Sequence, residues 1–324
     1  MQQACHGVRI GRRIVRQVSS ATVESVLVLG GSGLVGTRFR ELCQDRVKLL
    51  VPSHTQLDVL NTGELEAYLD EQAPEAVINL AAWADVDGAE AQRGDTSGTV
   101  YQLNAAYPGH LAQICAGRKT YLLHVSTDYV FDGENDARPY RENDVPNPLG
   151  WYAQTKLDGE RTIQGSAAKA CIARIEMPFT AQPLRKTDFA RICLSKLQRG
   201  ESIAGVADQR ITPVFLDDAA AALLRLIELQ VTGIVHVAAA SWTTPYEFAR
   251  GIAVRLELNA NLIQQASFAD FSQSRAAKRP QHSWLDVSKA QRLVGQRMLR
   301  NIDEQLDAWA AQVREAAAAP ETVS

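Results

Sequence analysis

The stretch Val26-Leu27-Val28-Leu29-Gly30-Gly31-Ser32-Gly33-Leu34-Val35-Gly36 decides the fold of this chain. Val26 to Leu29 have the composition of a strand buried on both faces. Glycines follow at Gly30, Gly33 and Gly36, and Leu34, Val35, Phe39 and Leu42 then recur at helical spacing among Arg38, Arg40 and Glu41. A strand, a glycine turn and a helix in that order build a phosphate site. The turn bends sharply, the bare backbone lets a pyrophosphate approach, and the helix aims its free N–H groups at the anion. Gly31-x-Gly33-x-x-Gly36 meets the dinucleotide fingerprint, and Gly30-x-x-Gly33-x-x-Gly36 meets its wider variant. The flanking strand and helix separate both from a flexible turn.

Outward from this stretch the pattern alternates. Further strands are expected at Val47–Val51, Ala76–Leu80, Tyr121–Ser126, Cys171–Ile175 and Ile234–Val237. Helices are expected near Gly33–Gln44, Gly63–Gln72, Val100–Ala116, Gly150–Gln164, Asp188–Gln198 and Leu216–Leu229. Such alternation predicts an α/β fold, a doubly wound parallel (Rossmann) sheet whose ligands bind beyond the carboxyl ends of the strands. The expected division is a basic extension over residues 1–22, a dinucleotide-binding domain over 23–175, and a smaller region over 176–324. That last region is mainly substrate-binding, with some segments returning to the sheet. The extension carries Arg9, Arg12, Arg13 and Arg16 with no acid before Glu24, and reads as a targeting segment or a plain extension. The alanine-rich tail after Arg314 is expected to fray.

The 324 residues are 46% hydrophobic and 22% charged, as in an ordinary globular enzyme. A net charge of −3 offers no basic field for nucleic acid. No apolar run approaches the roughly 18 residues of a membrane span. Five cysteines without CxxC spacing read as reduced thiols of a cytoplasmic protein. The six histidines show no ligand spacing, so no metal is expected.

The tip of the second strand, Val51-Pro52-Ser53-His54-Thr55, lacks the carboxylate that reads a ribose 2′-hydroxyl. With that acid gone, Ser53, His54 and Arg38 can accommodate a 2′-phosphate, which favours NADPH or use of both NADPH and NADH. Asp58 lies too late for the ribose and reads as an acceptor for the adenine amino group or as a loop carboxylate. Ala81 and Ala82 leave room for a planar ring or a ribose, or for tight packing against the first helix. Asp85 and Asp87 read as helix-start carboxylates.

Two further pieces carry chemistry. His124-Val125-Ser126-Thr127-Asp128-Tyr129 is a strand breaking into a hydroxyl-bearing loop, and Tyr152-Ala153-Gln154-Thr155-Lys156 follows a Pro146-Asn147-Pro148 turn. Tyrosine and lysine four apart share one helix face. A phenol near pKa 10 exchanges protons poorly at neutral pH, and a neighbouring ammonium is expected to lower that value. The paired charges Arg185-Lys186 and Lys278-Arg279 read as solvated surface or as neutralisers of a diphosphate. Trp284 and Trp309 read as core.

Together these residues resemble the extended short-chain dehydrogenase/reductase family over about residues 25–295, and within it the sugar-nucleotide reductases. The resemblance is carried by Gly30 to Gly36, by Asn79-Leu80-Ala81-Ala82 with Val86-Asp87-Gly88-Ala89-Glu90, and by Ser126 to Phe131. Asn147-Pro148-Leu149 with Tyr152 and Lys156, Asp208-Gln209 with Thr212-Pro213, and Arg279-Pro280 with Ser283 and Leu285 add to it. It implies a catalytic set of Thr127, Tyr152 and Lys156 that reduces the C4 carbonyl of a nucleotide-linked 4-keto-6-deoxy sugar. The implied cofactor residues are Gly30, Ser32, Gly33, Leu34, Val35, Gly36, Arg38, Ser53, Asp58, Val59, Ala81, Ala82, Trp83, Asn104, Tyr152, Lys156 and Met177. Val86, Asp128 and Tyr129 would face the sugar. The expected partner is this nucleotide-sugar substrate, and a homodimer is one assembly open to the chain.

Dehydratases of the family carry an Asp-Glu pair after the threonine. Here the pair is Asp128-Tyr129, which favours reduction. Where the reductases show an Arg-Thr-Ser-Trp-like run, this chain has Arg174-Ile175-Glu176-Met177, a departure that bears on which sugar is held. The alternatives are an epimerase or dehydrogenase on the same scaffold, or a non-catalytic dinucleotide-binding subunit like the regulatory subunit of methionine adenosyltransferase.

Overall fold

Alternate residues of each central strand pack on opposite faces, and both faces are covered. The computed structural model describes residues 23–184 and 186–318. The basic extension over 1–22, Arg185 and the last six residues lie outside the described residues. Six strands form one parallel sheet in the order β2-β1-β3-β4-β5-β7. They are β1 (Ser25–Leu29), β2 (Lys48–Leu50), β3 (Ala76–Asn79), β4 (Tyr121–Thr127), β5 (Ala170–Ile175) and β7 (Gly233–Val237). A separate parallel pair joins β6 (Ile203–Val206) to β8 (Ile263–Ala266).

The helices are α1 (Leu34–Cys43), α2 (Thr62–Gln72), α3 (Thr99–Tyr101), α4 (Tyr107–Arg118), α5 (Trp151–Gln164), α6 (Phe189–Gln198), α7 (Leu216–Glu228), α8 (Pro245–Arg255), α9 (Phe268–Gln273), α10 (Ser288–Val294) and α11 (Ile302–Ala318). Val26 and Val28 pack with Phe39 and Cys43 of α1 and Leu223 and Ile227 of α7. Leu27 and Leu29 pack on the other face with Leu65 and Leu69 of α2 and Tyr107 and Leu111 of α4. The period-2 direction of strand side chains makes both layers from one apolar run. Phe179, Phe215, Phe248 and Trp309 centre a further core that joins α6, α8 and α11 to β6 and β8.

Three features depart from the sequence expectation. The helix expected over Val100–Ala116 is interrupted by a π-helical turn at Gln102–Ala106. Pro108 explains it, because proline lacks the N–H that would bond the carbonyl four residues back, at Asn104, and crowds that carbonyl. The β6–β8 pair was not expected, since Ala204-Gly205 and Gln264-Gln265 carry little apolar alternation. Of the tail after Arg314, the described part stays helical to Ala318, continuing α11, which Leu306, Trp309 and Ala310 anchor in the core.

The chain winds from β1 to β2 on one side, then crosses to β3 on the other. At that reversal the segments following β1 and β3 splay apart, and the crevice outside the strand ends opens between them.

Candidate active site

The cleft at this reversal encloses about 490 Å³ and is lined by the β1–α1 turn, the segment after β3, the end of β4, the start of α5, and the chain after β5. Gly30 has φ +81°, and a Cβ there would stand 2.5 Å from the Ala81 nitrogen. A Cβ on Gly36 would stand 2.3 Å from the Gly30 carbonyl oxygen. The turn therefore closes on itself only with bare backbone at both positions. Gly33 differs, because its Cβ would meet only the Gly30 oxygen at 3.4 Å and would project into the cleft. It begins α1 with no side-chain cap and no acid in the first turn, so that turn's N–H groups are free for an anion. These residues fit a dinucleotide pyrophosphate.

The cleft wall holds Gly30, Gly33, Leu34, Val35, Gly36, Ala82, Val86, Thr127, Asp128, Tyr129, Tyr152, Lys156 and Met177. Ser32 is exposed on the turn. Ser53 and Asp58 are exposed beyond β2, where the Asp58 carboxylate accepts the Leu60 N–H at 3.0 Å. That is the loop-carboxylate reading. Val59 packs against the α2–α4 core, and Ala81 is buried beneath Gly30.

Several expectations are corrected. Arg38 does not reach the cleft. Its guanidinium forms a bidentate pair with Asp217 of α7 at 2.6 and 2.8 Å and also donates to Glu41. Arg40, exposed and 3.4 Å from the Gly31 carbonyl oxygen, is the arginine beside the glycine turn. Asn104 is fully buried, and its amide grips both the N–H and the C=O of Trp83 while donating to Thr155 of α5. It positions the loop after β3 and does not line the cleft. The Trp83 ring turns away into a small cluster with Val100 and Trp151. Asp85 does cap its turn, accepting from the Gly88 N–H, but Asp87 does not. It pairs with Arg279 at 2.9 and 3.0 Å, and this contact holds its carboxyl down at about 2. Arg279 is thereby no solvated surface charge; it straps the chain before α10 against the rim of the cleft.

Thr127 ends β4, and its Oγ1 lies 3.0 Å from Asp128 Oδ1 and accepts the Tyr129 N–H at 3.2 Å. Tyr152 and Lys156 occupy successive turns of α5, whose first N–H, at Trp151, is capped by Glu90 at 2.6 Å. The Tyr152 hydroxyl faces Thr127. Its phenol is not lowered. Burial pushes it up to about 12, the Thr127 hydroxyl opposes this, and the Asp128 charge adds to it. Lys156 does not offset the burial, because its Nζ is engaged elsewhere, 2.8 Å from the Val125 carbonyl and 3.2 Å from His124 Nε2. Burial lowers that ammonium to about 8 and drives His124 well below its ordinary value.

Sequence reasoning missed Glu176. It stands at the end of β5, fully buried, and accepts from the Thr212 N–H at 2.7 Å, the Thr212 hydroxyl, and the Ser283 hydroxyl at 2.6 Å. Its signal was present in the departure Arg174-Ile175-Glu176-Met177, since a carboxylate at a strand end beside the site is costly unless paired. Met177 beside it adopts φ +37°, a strained conformation for a side chain and one found where a loop is held for function. Among the described residues no group of three His, Cys, Asp or Glu side chains is placed to hold a metal ion. Nor, among the described residues, is any helix long and apolar enough to cross a membrane.

A doubly wound sheet, a glycine phosphate turn and a Thr-Tyr-Lys cleft define a protein of the extended short-chain dehydrogenase/reductase class. More closely, the chain belongs to the family described as RmlD substrate binding domain, which matches residues 24–315. It is 32% identical over 281 residues to the probable low-salt glycan biosynthesis reductase Agl14 of Haloferax volcanii, covering 83% of this chain and 91% of that one. It is 28% identical over 300 residues to methionine adenosyltransferase 2 subunit beta of Pongo abelii, covering 88% and 87%. Among solved structures, dTDP-4-dehydrorhamnose reductase from Bacillus anthracis in complex with NADP superposes with a TM-score of 0.80. The match has 26% identity and covers 90% of this chain and 99% of that one.

Proposed function

We propose that this chain is an NAD(P)H-dependent reductase of a nucleotide-linked 4-keto-6-deoxy sugar, with dTDP-4-dehydrorhamnose as the leading substrate. The observation that carries the reading is the convergence of Thr127, Tyr152 and Lys156 on the wall that also holds the glycine turn. Bound in this cleft, a reduced nicotinamide supplies hydride to the sugar C4. Tyr152 gives its proton to the C4 oxygen. A phenol raised to about 12 is protonated at neutral pH, so it rests in the donor form. Thr127 holds the same oxygen, and Lys156 hydrogen-bonds the ribose hydroxyls and offsets charge as it develops at Tyr152. Val86, Asp128 and Tyr129 face the sugar, and Lys186 at the rim meets its diphosphate.

NADPH is the preferred coenzyme in this reading, supported by the missing carboxylate beyond β2 and by Arg40 beside the turn. Residues 23–175 hold the dinucleotide and most of 176–324 shape the sugar site. Four buried unpaired cysteines, Cys43, Cys115, Cys171 and Cys193, support work in the reducing cytoplasm. The likeness to methionine adenosyltransferase 2 subunit beta supports a second reading, a regulatory subunit that binds dinucleotide without turnover.

The test is oxidation of NADPH, and separately NADH, on addition of dTDP-linked 4-keto-6-deoxy sugars. Turnover that falls by roughly 10²–10⁴ in Tyr152→Phe supports the reductase. Tight NADPH binding without turnover of any keto sugar supports the regulatory reading instead.

A further inference from the structure

Two buried carboxyls meet behind the cleft, and the hydrogens around them can be counted. Glu176 receives three donors, the Thr212 N–H and hydroxyl on Oε2 and the Ser283 hydroxyl on Oε1. Burial raises Glu176 to about 7, while these donors favour its ionised form, so of the two acids Glu176 gives up its proton first. The same Ser283 hydroxyl also faces Asp128. Its single hydrogen goes to Glu176, so it offers Asp128 only a lone pair. Asp128 lines the cleft at 3% exposure, with Oδ1 accepting from the Thr127 hydroxyl at 3.0 Å and a buried Oδ2 that has no partner among the described residues. Neither carboxyl has a Lys, Arg or His nitrogen within 4.0 Å among the described residues.

The groups that face Asp128 are Glu176 after β5, Ser283 before α10, Thr127 and Tyr129 on its own segment, and Tyr152 of α5. Arg279 faces Tyr129 and is held by Asp87. An anionic Asp128 would thus place a second uncompensated charge beside Glu176, and it would leave the lone pairs of Ser283 and Asp128 opposed.

We infer that Asp128 keeps its proton at neutral pH, held there by the Glu176 carboxylate across Ser283, and that this proton restores Tyr152 through the Thr127 hydroxyl. The inference deepens the reductase reading and rests on it. When hydride reaches C4, the carbonyl becomes an alkoxide, the Tyr152 O–H bond breaks, and its proton bonds to that oxygen. The Thr127 hydroxyl, which donates to Asp128 Oδ1 at rest, turns and passes its proton to the phenolate, and the Asp128 carboxyl rotates about Cβ–Cγ and passes its proton to Thr127 Oγ1 in exchange. Asp128 is left as a carboxylate beside Glu176 and recovers a proton from water once product leaves. Burial and the neighbouring charge of Glu176 raise Asp128 in the same direction. Glu176 touches no substrate and is a positioning residue; it fixes where the proton of the pair resides.

The experiment is infrared titration of the wild-type enzyme with NADPH bound, together with pH profiles of kcat, for wild type, Glu176→Gln and Asp128→Asn. A protonated-carboxyl band is expected at pH 8, above the value of about 7 to which Glu176 is raised, in wild type and is expected to be lost in Asp128→Asn. Glutamine can still accept from Thr212, so Glu176→Gln tests charge rather than packing. Without the neighbouring anion Asp128 ionises more readily. Both its band and the alkaline limb of kcat should then move about one unit to lower pH, a roughly tenfold lower rate above the limb. Lys156 also titrates on the alkaline side, but its charged neighbour is Glu160 and its nitrogen is held by His124 and the Val125 carbonyl, so its limb stays in place when Glu176 changes. A band that survives Asp128→Asn, or one with the same midpoint in Glu176→Gln and wild type, overturns the inference. Bands that behave as expected in a protein that turns over no keto sugar sink the reductase reading and leave the shared proton standing.

Discussion

Replacing Gly33 by alanine separates the coenzyme site from the fold that carries it. At φ −74° and ψ 174° the backbone there suits any residue, and the added methyl would meet only the Gly30 oxygen at 3.4 Å. Stability should fall by no more than about 1 kcal/mol, the usual difference between glycine and alanine at a helix start. The methyl would stand where a pyrophosphate approaches the α1 N–H groups. Loss of one charge-assisted hydrogen bond to the anion, worth roughly 1.5–3 kcal/mol, weakens NADPH binding by about 10- to 100-fold. Gly36→Ala is the contrast. Its methyl meets backbone at 2.3, 2.7 and 3.0 Å, so the turn itself must shift. Overpacking of that kind costs about 1–3 kcal/mol of stability on top of the lost affinity. Fluorescence titration with NADPH and thermal unfolding, run on both variants, read the two quantities apart. Wild-type NADPH affinity in a folded Gly33→Ala protein would refute the placement of the pyrophosphate over this turn.

Three further outcomes are expected. Glu160→Gln leaves the Arg174 guanidinium, 1% exposed on β5, without its bidentate partner at 2.6 and 2.9 Å. Urea unfolding should show a loss of about 3–5 kcal/mol. Arg40→Ala should weaken NADPH binding several-fold while leaving NADH within about twofold, and equal losses for both coenzymes would remove Arg40 from the 2′-phosphate. Lys156 titrates near 8 when folded and 10.5 when unfolded, so the folded chain binds fewer protons between those values. Its contribution therefore weakens as pH falls from 10.5 to about 8 and is level below. The stability of Lys156→Met relative to wild type should accordingly be on the order of 3 kcal/mol higher at pH 7 than at pH 10.5. A difference that does not change with pH would contradict the burial that lowers the Lys156 ammonium to about 8.

The main sheet was legible because its central strands β1, β3, β4 and β5 are short apolar runs buried on both faces, and burial on two faces leaves no ambiguity of pattern. The β6–β8 pair was not, since the signal of Ala204-Gly205 and Gln264-Gln265 is weak and the strands pair over a core supplied by α8 and α6. Arg38 and Arg40 show a different limit. Two positions apart on a helix, they point to nearly opposite sides. Which one meets the turn is decided by Asp217, 179 residues further along the chain. No local pattern carries that information. Asn104 is similar, because the π turn that aims it inward comes from Pro108, and its partners Trp83 and Thr155 come from two other segments.

The second carboxyl sharpens the distinction between reduction and dehydration. Sequence comparison asked whether an acid follows Asp128 and found Tyr129 there, yet an acid does stand beside Asp128, delivered from the end of β5. Its address decides what it can do. An acid that removes water from a sugar must touch the carbon skeleton, whereas Glu176 is fully buried with both oxygens occupied by Thr212 and Ser283. Exposing it would strip three donors from a carboxylate with no Lys, Arg or His nitrogen within 4.0 Å among the described residues, and each such bond is worth roughly 1.5–3 kcal/mol. It therefore stays behind Asp128 through a catalytic cycle. The pair is then built to hold one proton for the tyrosine rather than to cut a C–O bond, and the limited reach of Glu176, more than the missing residue after Asp128, favours reduction over dehydration.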